Sequence, residues 1–175
     1  MSIVKIQRVK NLKKIVAYAT QPHKTRDDLI TTFNCDINSI ERDFNDTLTE
    51  YNNLRKSNRE VSSRMIIQSF NDEDQVSPEE AQKYGVEFAR NYLKDQHQYL
   101  VVTHIESDHI HNHIIFNDIN FESMKYFDSK RENSLHKLHY ENDKLLEGYN
   151  LSVLKKDNSK IKSYSFGEYA VRLKG

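Results

Sequence analysis

Apolar and polar positions alternate along several short stretches of the chain, which is the pattern of half-buried β-strands. Residues 3–9 (IVKIQRV) show it clearly, and residues 62–70 (SSRMIIQSF) also favour a strand. The clearest stretches are residues 98–105 and 110–117, which are rich in β-branched residues and joined by a short polar turn. Residues 151–154 are a weaker candidate. We therefore expect four strands and, with less support from the pattern, a short fifth one.

Other stretches place apolar residues every three or four positions, as on one face of an α-helix. This period predicts helices over residues 11–20, 37–57, 77–94 and 131–147. The start of the third helix is well marked, because Ser77 precedes Pro78 and Glu80 can close a capping box. Residues 20–35 contain Pro22 and mixed polar residues and are expected to form a loop.

Helices interleaved with strands, together with a hairpin of neighbouring strands, favour an α+β fold with helices packed on a central antiparallel sheet. The length of 175 residues suits one domain, taken as residues 1–175. The single cysteine, Cys35, excludes a disulfide scaffold and fits a cytoplasmic protein. No stretch approaches the ~20 apolar residues of a membrane span, so no membrane insertion is expected.

The charge of the chain is balanced overall but unevenly distributed. A formal net charge of zero argues by itself against a nucleic-acid-binding protein. Residues 1–30, however, carry seven Lys and Arg against two Asp, and residues 151–175 carry six against two acidic residues. The two ends, at +5 and +4, either meet as one basic face or form an uneven solvated surface, and the sequence leaves both interpretations open.

Four of the eight histidines lie within residues 104–113, HIESDHIHNH. In the predicted hairpin, His104 lies nearly opposite His111, and His113 shares a strand face with His111. Neutral imidazole is a common ligand of divalent transition metals, and three protein ligands leave coordination positions open for catalysis. The pattern therefore favours a catalytic metal site over surface histidines on a hydrated strand. His109 is an additional candidate that we place outside the triad.

Two other interpretations of this cluster are disfavoured. The tripeptide HNH is not evidence for the nucleases of that name, whose motif is spread over a ββα unit. A structural zinc finger is disfavoured because no cysteine lies near the histidines.

The stretch HIHNHIIFN, with His104 seven residues before His111, resembles the three-histidine motif of HUH-class relaxases, most closely plasmid mobilisation relaxases of the MOB-P type. In that family a nucleophilic tyrosine lies on a helix after the first strand, and KKIVAYATQPHKT supplies Tyr18 in this context. Tyr18 lies roughly 100° from the centre of the apolar face of its predicted helix, which places it at the edge of the buried face and available to a cleft. The strand MIIQSF with the capped helix after it is a weaker match, and Ser62, Ser63 and Arg64 stand where relatives often have a histidine.

The resemblance implies a relaxase fold and metal-dependent nicking of one strand at an origin of transfer. Tyr18 would form a 5′-phosphotyrosine link, and His104, His111 and His113 would hold Mn²⁺ or Mg²⁺. Glu106, or alternatively Asp108, would orient a metal histidine. Lys24 and Arg26 would contact the DNA backbone.

The resemblance also implies the surroundings of the reaction. The substrate would be single-stranded or locally melted DNA, and accessory relaxosome proteins and a coupling protein would be partners. Such relaxases usually continue past the nuclease domain, so residues 1–175 would be a shortened or a minimal version.

Two alternatives remain open from the sequence. In a rolling-circle replication initiator, which shares the metal motif, the tyrosine lies downstream of the histidines, and the candidates are Tyr140, Tyr149, Tyr164 and Tyr169. The other alternative is a non-catalytic module that binds single-stranded DNA and keeps a vestigial metal site.

Overall fold

A computed structural model of the chain describes residues 2–128, 130 and 135–153. Five strands form one sheet: β1 (Ile3–Val9), β2 (Ile30–Phe33), β3 (Ser63–Ser69), β4 (Tyr99–His104) and β5 (His111–Asn117). Their order in the sheet is β1-β3-β5-β4-β2, and every neighbouring pair is antiparallel. A two-stranded ribbon follows, formed by β6 (Ile119–Asn120) and β7 (Lys125–Tyr126).

Helices cover both faces of the sheet. They are α1 (Leu12–Ala19), α2 (Ile40–Arg55), α3 (Pro78–Leu93) and α4 (Leu135–Gly148). On one face, α1 and the start of α2 pack over a buried cluster that includes Leu100, Val102 and Ile115. On the other face, α3 and α4 pack over a cluster that includes Ile114 and Phe116. Because side chains alternate along a strand, the central strand β5 contributes apolar residues to both layers.

The expected fold class, an antiparallel sheet with helices packed on it, is confirmed. The predicted hairpin is β4 and β5, and the capping box at Ser77 and Glu80 is formed. The loop expected over residues 20–35 is wrong in part, because Ile30–Phe33 is an edge strand paired with β4. With only four residues, this strand is too short to show a clear alternation.

Two other boundaries differ from the prediction. The helix expected from residue 37 begins at Ile40, because residues 37–39 form a turn that leads into the helix. The strand expected over residues 151–154 is absent from its described part, residues 151–153, where Ser152 bonds to Asp74 instead of a strand. Residues 131–134 of the fourth predicted helix, residue 154 and most of the basic segment 151–175 lie outside the described residues.

Within the part of the chain that the structure describes, none of the helices combines the length and the apolar character needed to cross a membrane.

Candidate active site

Three histidines meet at one end of the central hairpin. In the register of β4 and β5, His104 lies directly opposite His111, as the sequence predicted, and His113 follows two residues later on the same face. Their ring centroids are 4.2 to 5.1 Å apart. One ligand nitrogen from each ring lies within 4.8 Å of the others, so the three side chains can hold one metal ion. All three are buried, on the face that α1 covers.

Two of these rings are oriented by backbone carbonyl oxygens. Nε2 of His104 lies 2.8 Å from the carbonyl oxygen of Ala19, the last residue of α1. Nδ1 of His111 lies 2.9 Å from the carbonyl oxygen of His109. A carbonyl can accept a hydrogen bond only from a protonated nitrogen, so each contact fixes the tautomer that leaves the other nitrogen with a free lone pair. Metal-bound histidines typically have such a carbonyl or carboxylate partner.

His113 supplies the third nitrogen that can bind a metal. Nδ1 of His113 lies 3.2 Å from the sulfur of Met65. Nδ1 of His104 and Nε2 of His113 are buried and have no hydrogen-bond partner among the described residues. Buried polar atoms without a partner are costly unless something binds them. Two such nitrogens beside a third imidazole fit a divalent transition metal, for which imidazole is a preferred ligand.

Burial also sets the protonation of the cluster. Desolvation lowers the pKa of His104 to about 4 and lowers the pKa of His111, and it lowers the pKa of His113 well below its usual value. His111 also disfavours a positive charge on His104, and both of these rings disfavour one on His113. At neutral pH the three rings are therefore neutral, which is the form that binds metal.

Tyr18 stands at the edge of this cluster. Its ring centroid is 5.9 Å from that of His104 and 6.3 Å from that of His113. The apolar face of α1 anchors the helix through Leu12, Val16 and Ala19, which leaves Tyr18 45% exposed. The structure thus combines an accessible phenol with a buried metal-binding cluster, as the position of Tyr18 at the edge of the helix face predicted.

Lys24 is buried beside this tyrosine, although the sequence analysis expected it to contact DNA. Its ammonium group lies 4.5 Å from the centre of the Tyr18 ring, and it donates a hydrogen bond to Glu106. The Lys24 side chain is 10% exposed and that of Glu106 is 27% exposed. Burial lowers the pKa of Lys24, but its interactions with Glu106 and Tyr18 outweigh this and raise it overall. Lys24 is therefore a charged, oriented neighbour of Tyr18.

Glu106 does not make the hydrogen bond to a metal histidine that the sequence analysis expected. Its carboxylate accepts from Lys24 and lies 3.6 Å from His23, because β4 ends at His104 and the chain then turns towards the segment after α1. Burial raises the pKa of Glu106, but Lys24 outweighs this and lowers it overall. The carbonyl groups of Ala19 and His109 occupy the orienting position instead.

The other predicted residues lie further from the cluster. Arg26 forms exposed ion pairs with Asp28 and Glu79. His109 precedes β5, and its Nδ1 lies 2.6 Å from Asp72. The position of His109 outside the three-histidine cluster matches the register chosen from the sequence.

Of the four candidate downstream tyrosines, the two inside the described residues, Tyr140 and Tyr149, are on the opposite face of the sheet. Tyr140 is exposed on α4, and Tyr149 packs 4.4 Å from the ring of Tyr84 on α3 and donates a hydrogen bond to Glu87. The sheet separates both from the histidines. Tyr164 and Tyr169 lie outside the described residues.

A buried network of polar side chains, which the sequence analysis missed, supports the hairpin from behind. Thr103 immediately precedes His104, and Asn112 lies between His111 and His113, so both point to the other face of the sheet. The Thr103 hydroxyl lies 2.6 Å from both Asn112 and Gln82 of α3, and Asn112 donates to Gln68 of β3. The signal in the sequence is that Thr103 and Asn112 are polar, although the other residues on their face of β4 and β5 are apolar.

Comparison with known proteins agrees with this geometry. The family model of relaxases, described as MobA/VirD2-like, nuclease domain, matches residues 18–151. The chain belongs to this relaxase family. The resemblance predicted from the histidine and tyrosine motifs is therefore confirmed.

Two relatives illustrate the relationship to complete relaxases. The chain is 31% identical to "Protein rlx" of Staphylococcus aureus over all of its 175 residues, which is 49% of that protein. It is 34% identical to the group II intron-interrupted relaxase LtrB of Lactococcus lactis subsp. cremoris, over 57% of the chain and 17% of that protein. The chain thus spans about half the length of the rlx relatives.

A solved structure has the same fold. The relaxase domain of MobM, bound to plasmid pMV158 oriT DNA and to Mn, aligns with a TM-score of 0.63 over 98% of each chain. The sequence identity is 15%, so the similarity shows the fold alone.

Proposed function

We propose that this relaxase domain nicks one DNA strand at an origin of transfer, with Tyr18 as the nucleophile. The observation that carries the proposal is the position of Tyr18, exposed at the edge of the buried cluster of His104, His111 and His113. A nucleophile beside a site for a divalent cation is what the transfer of a phosphoryl group requires, because the phosphate oxygens carry the negative charge.

The reaction is a transesterification. The phenol oxygen of Tyr18 loses its proton as it attacks the scissile phosphorus, the bond from phosphorus to the 3′ oxygen breaks, and the departing 3′ oxygen takes up a proton to become a hydroxyl, so that no net proton is consumed. The protein is then linked to the 5′ phosphate. One phosphodiester bond replaces another, so the reverse attack by the 3′ hydroxyl can rejoin the strand.

His104, His111 and His113 would hold Mn²⁺ or Mg²⁺, and the donor set of three nitrogens favours Mn²⁺ of these two ions. When bound, the ion polarises a nonbridging phosphate oxygen and balances its charge. The carbonyl groups of Ala19 and His109 hold two of the rings in the orientation that presents their free nitrogens. The link from His104 to Ala19 also ties the metal ligands to the end of the helix that carries Tyr18.

Lys24 would position Tyr18 for the attack. A phenol oxygen attacks more readily as negative charge develops on it, and a cation held next to the ring favours that charge. Glu106 keeps the ammonium group of Lys24 in place and partly buried. Charges act more strongly where water is largely excluded, so this fixed pair can stabilise a developing phenolate.

The substrate would be single-stranded or locally melted origin-of-transfer DNA, since Tyr18 must reach a phosphate that is free of a duplex. The wider process is plasmid mobilisation in the cytoplasm, with accessory relaxosome proteins and a coupling protein as partners. Residues 1–175 would be the nuclease domain of this relaxase.

The first test is the formation of a covalent protein–DNA product. The purified chain is incubated with single-stranded oligonucleotides that tile the origin-of-transfer region of its plasmid, and the product is resolved on a denaturing gel. We expect one strand to give a band of protein with attached DNA when Mn²⁺ is present, and no such band with excess chelator. Retention of DNA on a native gel without any covalent band for either strand would contradict the proposal and support the non-catalytic alternative.

A further inference from the structure

A groove runs away from the candidate active site along the helix that carries Tyr18. It lies between the edge strand β1 and α1, and it has a volume of about 330 Å³. Tyr18 and His113 are among the residues that line it, so it opens directly onto the site of the proposed reaction. We call this cavity the β1–α1 groove. Its volume falls in the range of sites that hold small organic ligands.

The groove has an apolar floor and a cationic rim. Val9, Ile15 and Met65 form the floor and belong to the hydrophobic layer under α1. Lys10 and Lys14 line the rim and are exposed. Neither lysine forms an ion pair with a carboxylate of the described residues, and none of the residues that line the groove is acidic. Apolar walls with free cations at the edge fit a nucleotide, because the flat faces of its base pack on apolar surface and its phosphate is negative.

The other side of the active site has the opposite charge. Glu106 and Asp108 lie in the turn between β4 and β5, and the short helix Asp72–Asp74, which is acidic throughout, is held to this turn through His109. Lys24 and Arg26 already pair with carboxylates. A DNA strand that leaves the reacting phosphate on this side would bring its next phosphates close to acidic groups, which repel them.

We infer that the β1–α1 groove is the subsite for the single-stranded nucleotides next to the scissile phosphate, with Lys10 and Lys14 as contacts to their phosphates. The inference rests on the proposed function. It adds the side of the active site on which the DNA strand lies, and it adds two residues that neither the motifs nor the family resemblance singled out. Lys10 and Lys14 take the place of Lys24 and Arg26 as the principal DNA contacts of the N-terminal basic segment.

The test is the salt dependence of DNA binding by a matched pair of double variants. A fluorescein-labelled oligothymidylate of about 16 nucleotides, a length that one single-strand-binding site can cover, is titrated in the presence of Mn²⁺ with anisotropy as the readout. The groove variant is Lys10→Gln with Lys14→Gln. The control is Lys83→Gln with Lys144→Gln, which removes the same charge from exposed positions of α3 and α4 on the opposite face of the sheet.

For single strands, each lost phosphate contact lowers the slope of log affinity against log salt by about 0.7. We expect the slope of the groove variant to be smaller in magnitude than that of the unmodified protein by about 1.4. The control should keep the slope of the unmodified protein. Equal slopes for the two double variants, with salt-dependent binding by the unmodified protein, would overturn the groove assignment alone. Absence of salt-dependent binding by the unmodified protein would also overturn the groove assignment, whereas the proposed function is decided separately by the covalent product on the origin-of-transfer strand.

Discussion

At the scale of single residues, the site depends on side chains that a hydrogen bond to one group holds in place while another part of the same side chain faces the site. His104 binds Ala19 through Nε2 and keeps Nδ1 free, and Lys24 binds Glu106 while its charge lies over the ring of Tyr18. A side chain fixed in this way loses little conformational entropy when it meets its ligand, so binding and reaction are more favourable. The same principle separates Lys24, which is buried and fixed, from its exposed neighbour Arg26.

The position of Lys24 leads to a prediction about the rate of nicking. In Lys24→Met the aliphatic stem remains but the ammonium group next to Tyr18 is lost. We expect the rate of covalent-product formation at saturating DNA to fall about 100-fold, as for a misplaced reacting group. The affinity for DNA should change little, because the charge of Lys24 is already balanced by Glu106. Single-turnover rates on a denaturing gel, together with anisotropy titrations, measure the two effects separately.

Arg26→Gln is the matched control, because it removes a cation two residues away whose ion pairs are exposed. It should leave the rate at saturating DNA nearly unchanged. If Lys24→Met lowers only the DNA affinity and bound DNA is still nicked at the original rate, Lys24 is a DNA contact, as the sequence alone suggested, and does not position Tyr18.

At the scale of elements, one hairpin and one short helix build the site. β4 and β5 bring His104, His111 and His113 together, because antiparallel pairing across a short turn places His104 opposite His111. α1 lies over the same end of the sheet and supplies both Tyr18 and the carbonyl group of Ala19. The network around Asn112 fills the opposite face of the hairpin and ties it to α3 through Gln82. The metal ligands therefore rest on paired strands rather than on a mobile loop.

Burial of the histidines on the hairpin makes the stability of the metal-free domain depend on pH. The folded-state pKa of His104, about 4, lies below the value near 6.5 expected for the unfolded chain. As the pH falls below about 6.5, the unfolded chain therefore takes up protons first, and the free energy of unfolding decreases until about pH 4. The pKa values of His111 and His113 are shifted in the same direction and strengthen the effect. Thermal unfolding with chelator should show a lower Tm at pH 5 than at pH 7.

Metal binding should stabilise the folded domain. At pH 7 and a concentration of Mn²⁺ 100 times its Kd, we expect a stabilisation of about 2.7 kcal/mol, or roughly 5–10 °C in Tm for a domain of this size. His111→Ala should weaken Mn²⁺ binding at least tenfold, which is about 1.4 kcal/mol. His109→Ala, outside the cluster, is the control and should bind Mn²⁺ as the unmodified domain does. Equal losses in the two variants would show that the wrong histidines have been assigned to the metal.

At the scale of the whole molecule, the sequence predicted the features that depend on local periodicity. Four strands and four helices follow from alternation and helical spacing, and the pairing of His104 with His111 follows from the short turn between their strands. The edge strand Ile30–Phe33 was missed, because a strand of four residues is stabilised by its partner β4 rather than by its own pattern.

The electrostatic partners of the site were not predictable in the same way. Lys24 and Glu106 are 82 residues apart in the sequence, and their ion pair exists only after α1 and the central hairpin have packed. Sequence spacing gives no information about such a contact. For this reason the sequence assigned Lys24 to DNA and Glu106 to a histidine, whereas the folded chain joins the two residues to each other beside Tyr18.

The account depends most on the chemistry of Tyr18, and one measurement tests it directly. Tyr18→Phe keeps the ring on the edge of the histidine cluster but removes the attacking oxygen, so folding, Mn²⁺ binding and DNA binding should be retained. The control is Tyr140→Phe, which changes an exposed tyrosine on the opposite face of the sheet. Each protein is incubated with Mn²⁺ and the origin-of-transfer strand, and the covalent product is digested with trypsin, which releases Tyr18 in the peptide of residues 15–24 without another tyrosine.

We expect mass spectrometry to find the DNA phosphate on Tyr18 in the unmodified protein and in Tyr140→Phe. In Tyr18→Phe, formation of the covalent product should fall by several orders of magnitude, because the hydroxyl beside the histidine cluster is lost. A covalent product that forms in Tyr18→Phe at the original rate, with the DNA on another residue, would contradict the account and place the nucleophile elsewhere in the chain.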